Sequence, residues 1–142
     1  MLIPRKYLLD TCTCIALIKQ DSNVIKQIRQ VGIDQCKISD ITLAELYFGA
    51  FKSEKEKHFD DVVEIMNLFE QYPINALRKY GEIRWILERK GKPIGDMDMF
   101  IAATALEEDL ILVTGNVKHF KHIPGLMIEN WIEGQGGSFH NP

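Results

Sequence analysis

The constraint that most narrows what this chain can fold into is the stretch Ile94-Gly95-Asp96-Met97-Asp98-Met99-Phe100-Ile101-Ala102-Ala103-Thr104-Ala105-Leu106. Two carboxylates stand at the mouth of a segment that is otherwise almost wholly apolar. An apolar helix of this kind belongs inside a fold, and an ionised carboxylate is costly to bury without a partner. These acids therefore either cap a buried helix or hold a cation in a cleft.

With 142 residues, the chain suits one domain with its own core. It is 46% apolar and 26% charged, an ordinary balance for a globular protein, and it carries a formal net charge of -3. That balance argues against a nucleic-acid coat held by bulk charge, but not against a nuclease, whose metal-binding acids count as negative until the metal arrives. Three cysteines, Cys12, Cys14 and Cys36, make a disulfide scaffold a poor reading, and reduced thiols in the cytoplasm a better one. Cys12-Thr13-Cys14 lacks the second Cys or His pair of a zinc site. No run approaches the length of a membrane span. Pro4, Arg5 and Lys6 follow Leu2-Ile3 at once, so no signal peptide is expected.

Along the chain, Tyr7-Leu8-Leu9 reads as a buried strand. Asp10 or Thr11 then caps a helix to about Gln20, with Ile15, Leu17 and Ile18 inward. Val24, Ile25, Ile28 and Val31 recur at helical spacing, and Gly32 ends that helix. Cys36-Lys37-Ile38 is a second short strand. Thr42 opens an apolar helix from Leu43 to Phe51, and a charged break from Lys52 to Lys57 leads to an amphipathic helix. The buried stripe of that helix is Phe59, Val62, Val63, Ile65, Met66 and Phe69. Tyr72-Pro73-Ile74 marks a turn or short strand, and Leu77 to Lys90 a helix stopped by Gly91 and Pro93. After the opening stretch, Leu110 to Val113 reads as a buried strand, Thr114-Gly115-Asn116 as a turn and Met127-Ile128 as an edge strand. Residues 1–133 form the expected domain, and the Gly-rich residues 134–142 a loose tail. Short apolar strands alternating with helices predict an α/β fold with a mainly parallel sheet.

In such a sheet, ligands collect beyond the carboxyl ends of the strands. Asp10, Glu45, Asp98 and Asn116 all lie where they can reach that edge. Each also has a plainer explanation. Asp10 suits an N-cap, and Thr42-Leu43-Ala44-Glu45 suits a capping box. Asp96 suits the cap of the helix over 97–108, and Asn116 suits a turn. One cap cannot use both Asp96 and Asp98, because helical residues two apart point about 200° from each other. Carboxylates gathered without an obligate His or Cys suit hard ions such as Mg²⁺ or Mn²⁺, which activate water at a phosphorus centre. A phosphate-binding Gly-rich loop, a nucleophile elbow and a His-Glu-x-x-His motif are all lacking, and His58, His119, His122 and His140 lie in charged or tail contexts that suit solvated side chains.

Taken in order, Leu8-Leu9-Asp10-Thr11, Ser39 to Ala50, Lys92-Pro93-Ile94-Gly95 running through Asp98 to Ile101-Ala102-Ala103, Leu112 to Asn116 with His119-Phe120, and Gly125-Leu126 to Asn130-Trp131 resemble a PIN-domain ribonuclease of the VapC toxin family. The resemblance spans about residues 5–132 and rests on the ordered set rather than on any one motif. It implies a three-layer α/β/α sandwich, cleavage of RNA dependent on Mg²⁺ or Mn²⁺, a homodimer, and inhibition by a VapB-like antitoxin in a toxin–antitoxin hetero-oligomer. It also implies that Asp10, Glu45 and Asp98 are the catalytic, metal-binding acids, with Asp96 and Asn116 as further candidate ligands and Thr11 and Thr114 as positioning hydroxyls. A metal-activated water would attack phosphorus, and the 3′ oxygen would leave. Arg84, Arg89, Lys90, Lys92 and Lys118 are candidates to steer the RNA backbone, with an exposed face carrying pairs such as Arg78–Glu82 as the plain alternative.

Two positions depart from the family pattern. Cys12 stands where Asn is common, and Asn116 stands where PIN domains at large often have Asp. Both leave room for a second reading, a catalytically weakened module that binds RNA or protein. A haloacid-dehalogenase-type domain needs Asp-x-Asp after its first strand, whereas here the residues are Asp10-Thr11-Cys12. A receiver domain pairs acids near the first strand with a late Lys, which this chain lacks at matching positions. Tyr47, Phe48, Phe51 and Phe59, on the helices over 42–51 and 55–70, serve either as core or as a surface for the antitoxin.

Overall fold

The computed structural model describes residues 5–132 and the strand Gly137–His140. The elements run β1 (Tyr7–Leu9), α1 (Thr11–Ile18), α2 (Ser22–Val31), a 3₁₀ turn (Ile33–Gln35), β2 (Cys36–Ser39), α3 (Asp40–Ser53), α4 (Glu56–Leu68) and β3 (Glu70–Tyr72). They continue through α5 (Leu77–Arg89), α6 (Asp96–Glu107), β4 (Ile111–Val113), α7 (Val117–Phe120), β5 (Met127–Asn130) and β6 (Gly137–His140). The sheet order is β3-β2-β1-β4-β5-β6. Strands β1 to β5 pair in parallel, and β6 runs antiparallel to β5.

Strand residues alternate between faces, and that alternation builds the two outer layers. Leu8, Leu112 and Ile128 point to one side and pack with Ile83, Leu87, Met99 and Ile101 of α5 and α6. Leu9, Ile38 and Val113 point to the other, against Cys14, Val24, Leu43, Leu46, Val62 and Ile65 of α1 to α4. The result is the expected α/β/α sandwich. Leu8 and Leu112 are fully buried, so truncating either to Ala is worth about 2–5 kcal/mol. No helix of the described residues is long and apolar enough to cross a membrane.

Several local expectations are corrected. Ile15 is exposed while Thr13 and Cys14 face inward, because Thr13 Oγ1 donates to Val113 O at 3.0 Å and turns that face of α1 toward the sheet. Val63 and Leu77 lie on the solvent sides of α4 and α5. Helix α3 starts two residues earlier than Thr42, since Ser39 Oγ accepts from Ile41 N at 3.0 Å and caps it. Met127–Asn130 is not an edge: β6 covers it, with Met127 opposite His140 and Asn130 opposite Gly137. The loose tail expected from residue 134 is therefore interrupted by a strand. The open ladder of β5 offers backbone groups that a short antiparallel return can satisfy. Residues 133–136, 141 and 142 lie outside the described residues. Glu82 pairs with Lys79 at 3.1 Å rather than with Arg78.

Candidate active site

The strand order reverses between β1 and β4: from β1 the chain builds outward through β2 and β3, then returns to β1's other side as β4. Loops leaving adjacent strands in opposite directions open a crevice at their carboxyl ends. Asp10 and Thr114 are the first residues beyond those two ends.

Asp10 is 3% exposed and does two jobs. It is the N-cap of α1: Oδ1 accepts from Thr11 N at 2.8 Å. Its other oxygen, Oδ2, accepts from Thr114 Oγ1 at 2.8 Å, across the crevice. Burial pushes its pKa up to about 6; the bonds from Thr114 and Thr11 pull the other way, and Asp98 and Glu45 push it further up. The cap and the crevice acid are the same side chain, so the two readings of Asp10 do not compete.

Glu45 is not part of a capping box. Thr42 is buried inside α3, and its Oγ1 has no hydrogen-bond partner among the described residues. Glu45 Oε1 instead accepts from Thr11 Oγ1 at 2.6 Å, which ties α3 to the start of α1. Asp98, in the first turn of α6, has 21% side-chain exposure, and its Oδ2 lies 3.0 Å from His119 Nδ1. The N-cap of α6 is Gly95, not Asp96. Asp96 is exposed and turns to α5, where its Oδ1 accepts from Tyr80 OH at 2.8 Å and lies 3.9 Å from Arg84 Nη1. The two acids of this stretch thus face different partners, and only Asp98 is among the charges that act on Asp10.

Thr114 is fully buried, and its Oγ1 also accepts from Asn116 N at 3.0 Å, which shapes the turn after β4. Asn116 itself is exposed and precedes α7 without a side-chain cap. Cys12 Sγ accepts from Gly115 N at 3.1 Å and lies 3.4 Å from Thr114 Oγ1, so this residue fastens α1 to the same turn.

The basic candidates divide. Arg84 is engaged by Glu88 at 3.3 Å and by Tyr80 OH at 3.2 Å, and the Arg89 guanidinium sits 4.9 Å from the Trp85 ring centroid. Lys92 and Lys118 are exposed. Lys90 Nζ donates to His122 O at 2.9 Å. His122 is held below the usual imidazole range by burial and then by Lys121, Lys92 and Lys90, so these lysines share one neighbourhood.

The donor set fits a hard divalent cation. A nearly buried carboxylate has two further acids acting on it, and all the donors are oxygens. Among the described residues, no three His, Cys, Asp or Glu side chains close into a cage of protein ligands. An ion that retains waters and takes contacts from a phosphate suits such an open set.

Beside the crevice, a groove of about 320 Å³ runs between α1, α3 and α4, lined by Ile15, Ile18, Leu46, Gly49 and Val62, with Glu45 at one end. Phe48 and Phe51 are 69% and 70% exposed on α3, and Phe59 packs edge-on against Phe51 at 4.9 Å. Phe48 and Phe51 are therefore not core, whereas Tyr47 and Phe59 are half-buried against it. The α7 helix and the contact of His119 with Asp98 went unseen in the sequence. The only hint there was the His119-Phe120 pair shortly after the turn.

Acids at the switch point of an α/β/α sandwich are an arrangement suited to a metal ion and a phosphate. A PIN-domain family model matches residues 7–126. The tRNA(fMet)-specific endonuclease VapC of Salmonella typhimurium is 39% identical over 129 residues, covering 89% of this chain and 98% of that protein. Ribonuclease VapC2 of Rickettsia felis is 37% identical over 130 residues, covering 88% and 97%. The crystal structure of VapBC2 from Rickettsia felis, bound to a DNA fragment from their promoter, superposes with a TM-score of 0.83 at 36% identity, covering 88% of this chain and 98% of that one. The chain belongs to the PIN-domain family and, within it, to the VapC toxins of toxin–antitoxin systems.

Proposed function

We propose that this chain is an endoribonuclease toxin that cleaves RNA phosphodiester bonds by hydrolysis with Mg²⁺ or Mn²⁺, and that a VapB-like antitoxin restrains it. The observation that carries the reading is Asp10: a 3% exposed carboxylate at the end of β1, raised to about 6, with Asp98 and Glu45 acting on it. Asp10, Glu45 and Asp98 would hold the ion. When bound, it supplies charge neutralisation of the phosphate and acidification of a coordinated water. Asp10 is kept rigid by Thr11 and Thr114, and Glu45 by Thr11 Oγ1. Such fixed donors keep the site arranged before substrate arrives. Asp96 and Asn116 stand further from this role, since Asp96 is engaged by Tyr80 and Asn116 is solvent-facing.

Lys90, Lys92, Lys118 and Lys121 offer the RNA backbone a cationic rim, whereas Arg84 and Arg89 are partly committed to neighbours. The groove beside α3 suits an amphipathic antitoxin segment with a basic side chain near Glu45. The VapBC complexes among the structural relatives support that partner. A homodimer, a cytoplasmic site of action and a single domain complete the reading.

Incubating the purified chain with total bacterial RNA and Mg²⁺ tests it. Discrete fragments that vanish with EDTA and return with added Mn²⁺ are expected. RNA left intact under all three conditions would favour the weakened binding module.

A further inference from the structure

The residue least explained by the reading above is His119. It sits in α7, which spans only Val117–Phe120, and two neighbouring contacts hold that short helix in place. Phe120 beside it is fully buried, and His119 N donates to Asn116 O at 3.0 Å. The backbone thus delivers the ring to one place, where Nδ1 lies 3.0 Å from Asp98 Oδ2. An ionised carboxylate only accepts, so His119 Nδ1 carries the proton in this contact. One oxygen of Asp98 is then held by the ring, which fixes the plane of the carboxylate.

We infer that His119 is a positioning residue that orients the Asp98 carboxylate and thereby sets the affinity of the acid cluster for a divalent cation. The inference rests on the metal-binding reading of Asp98. An exposed histidine–carboxylate pair adds little to fold stability. Its side chains are 57% and 21% exposed, so deleting the ring leaves the core untouched. The effect belongs to orientation: partners that fix a ligating carboxylate change metal affinity by about 10–100-fold when removed. Without His119, Asp98 has no partner to hold one rotamer, and its carboxylate is no longer fixed relative to Asp10 and Glu45.

The test is calorimetric titration of the RNA-free chain with MnCl₂ at about pH 8, where an ordinary imidazole is neutral. His119→Ala should bind Mn²⁺ about tenfold more weakly than wild type, with an unchanged thermal midpoint in EDTA. His119→Asn places an amide N–H where Nδ1 stood and should restore the wild-type affinity. In an Asp98→Asn background, His119→Ala should cost nothing further, because the two act as one unit. Equal affinity of wild type and His119→Ala would overturn the inference and leave the metal reading standing. So would a loss in His119→Asn as large as in His119→Ala, or additive losses in the double variant. A wild-type chain that takes up no Mn²⁺ would overturn the metal reading itself, and this inference with it.

Discussion

Thr11 Oγ1 donates to Glu45 Oε1 across 2.6 Å, joining residues 34 apart in sequence and making the first residue of one helix the brace of another. The residue after the buried cap Asp10 thus orients an acid on a different element. Thr11→Val keeps the shape and removes the donor. It should slow RNA cleavage by about tenfold and cost about 1 kcal/mol in urea unfolding. Thr11→Ser should recover both.

Asp10 carries the pH dependence. Burial raises its folded pKa to about 6 from an ordinary value of 3.8. The folded chain therefore binds more protons than the unfolded chain between those values. Stability conferred by this group is full below the unfolded pKa, is lost as pH rises through about 6, and stays lost above it. Asp10→Asn removes that penalty. In EDTA the variant should be more stable than wild type at neutral pH, by up to about 3 kcal/mol. The gap should close as pH falls toward about 4. Urea melts across this range check the sign: a variant less stable than wild type at neutral pH would contradict it.

Gly49 opens onto the groove between α1, α3 and α4, and a Cβ there meets nothing within 4 Å. Gly49→Phe should fill the groove without strain and with a slightly better helix former. It should keep RNA cleavage and lose co-purification with a co-expressed VapB-like antitoxin. Retained co-purification would place the antitoxin elsewhere.

The lysines near His122 should act as a group. Replacing Lys90, Lys92 and Lys121 with Gln should weaken RNA binding in EDTA. It should also lower the slope of log Kd against log salt by about 2, at about 0.7 per phosphate contact for single strands. The same exchange at Lys26 and Arg29 on α2 should change neither.

Much of this was legible in the sequence, and the misses have physical causes. Tyr7-Leu8-Leu9, Cys36-Lys37-Ile38 and Leu110 to Val113 announced β1, β2 and β4, because strands buried on both faces leave continuous apolar runs. Asp10 and Thr114 were legible as neighbours because parallel strands put their following loops on one edge. Helix α7 was not, since four residues carry no periodicity. The start of α3 is ambiguous in the sequence because Ser39 and Thr42 are both capping residues, and burial of Thr42 with the Ser39 cap bond decides for Ser39. Asp96 looked like a cap because its partner, Tyr80, is 16 residues away on another helix. The sequence shows His119 no partner, because Asp98 is 21 residues away.

The most direct test of the central claim is the cleavage of a defined RNA by wild type and Asp98→Ala, each with Mg²⁺ and each with EDTA, with the fold of both checked by circular dichroism. The acid-cluster account predicts cleavage by wild type with Mg²⁺ alone, leaving 5′-phosphate and 3′-hydroxyl ends, and at least a hundredfold loss, as an order of magnitude, in a folded Asp98→Ala. Wild-type rates from Asp98→Ala, or cleavage that persists in EDTA, would contradict it.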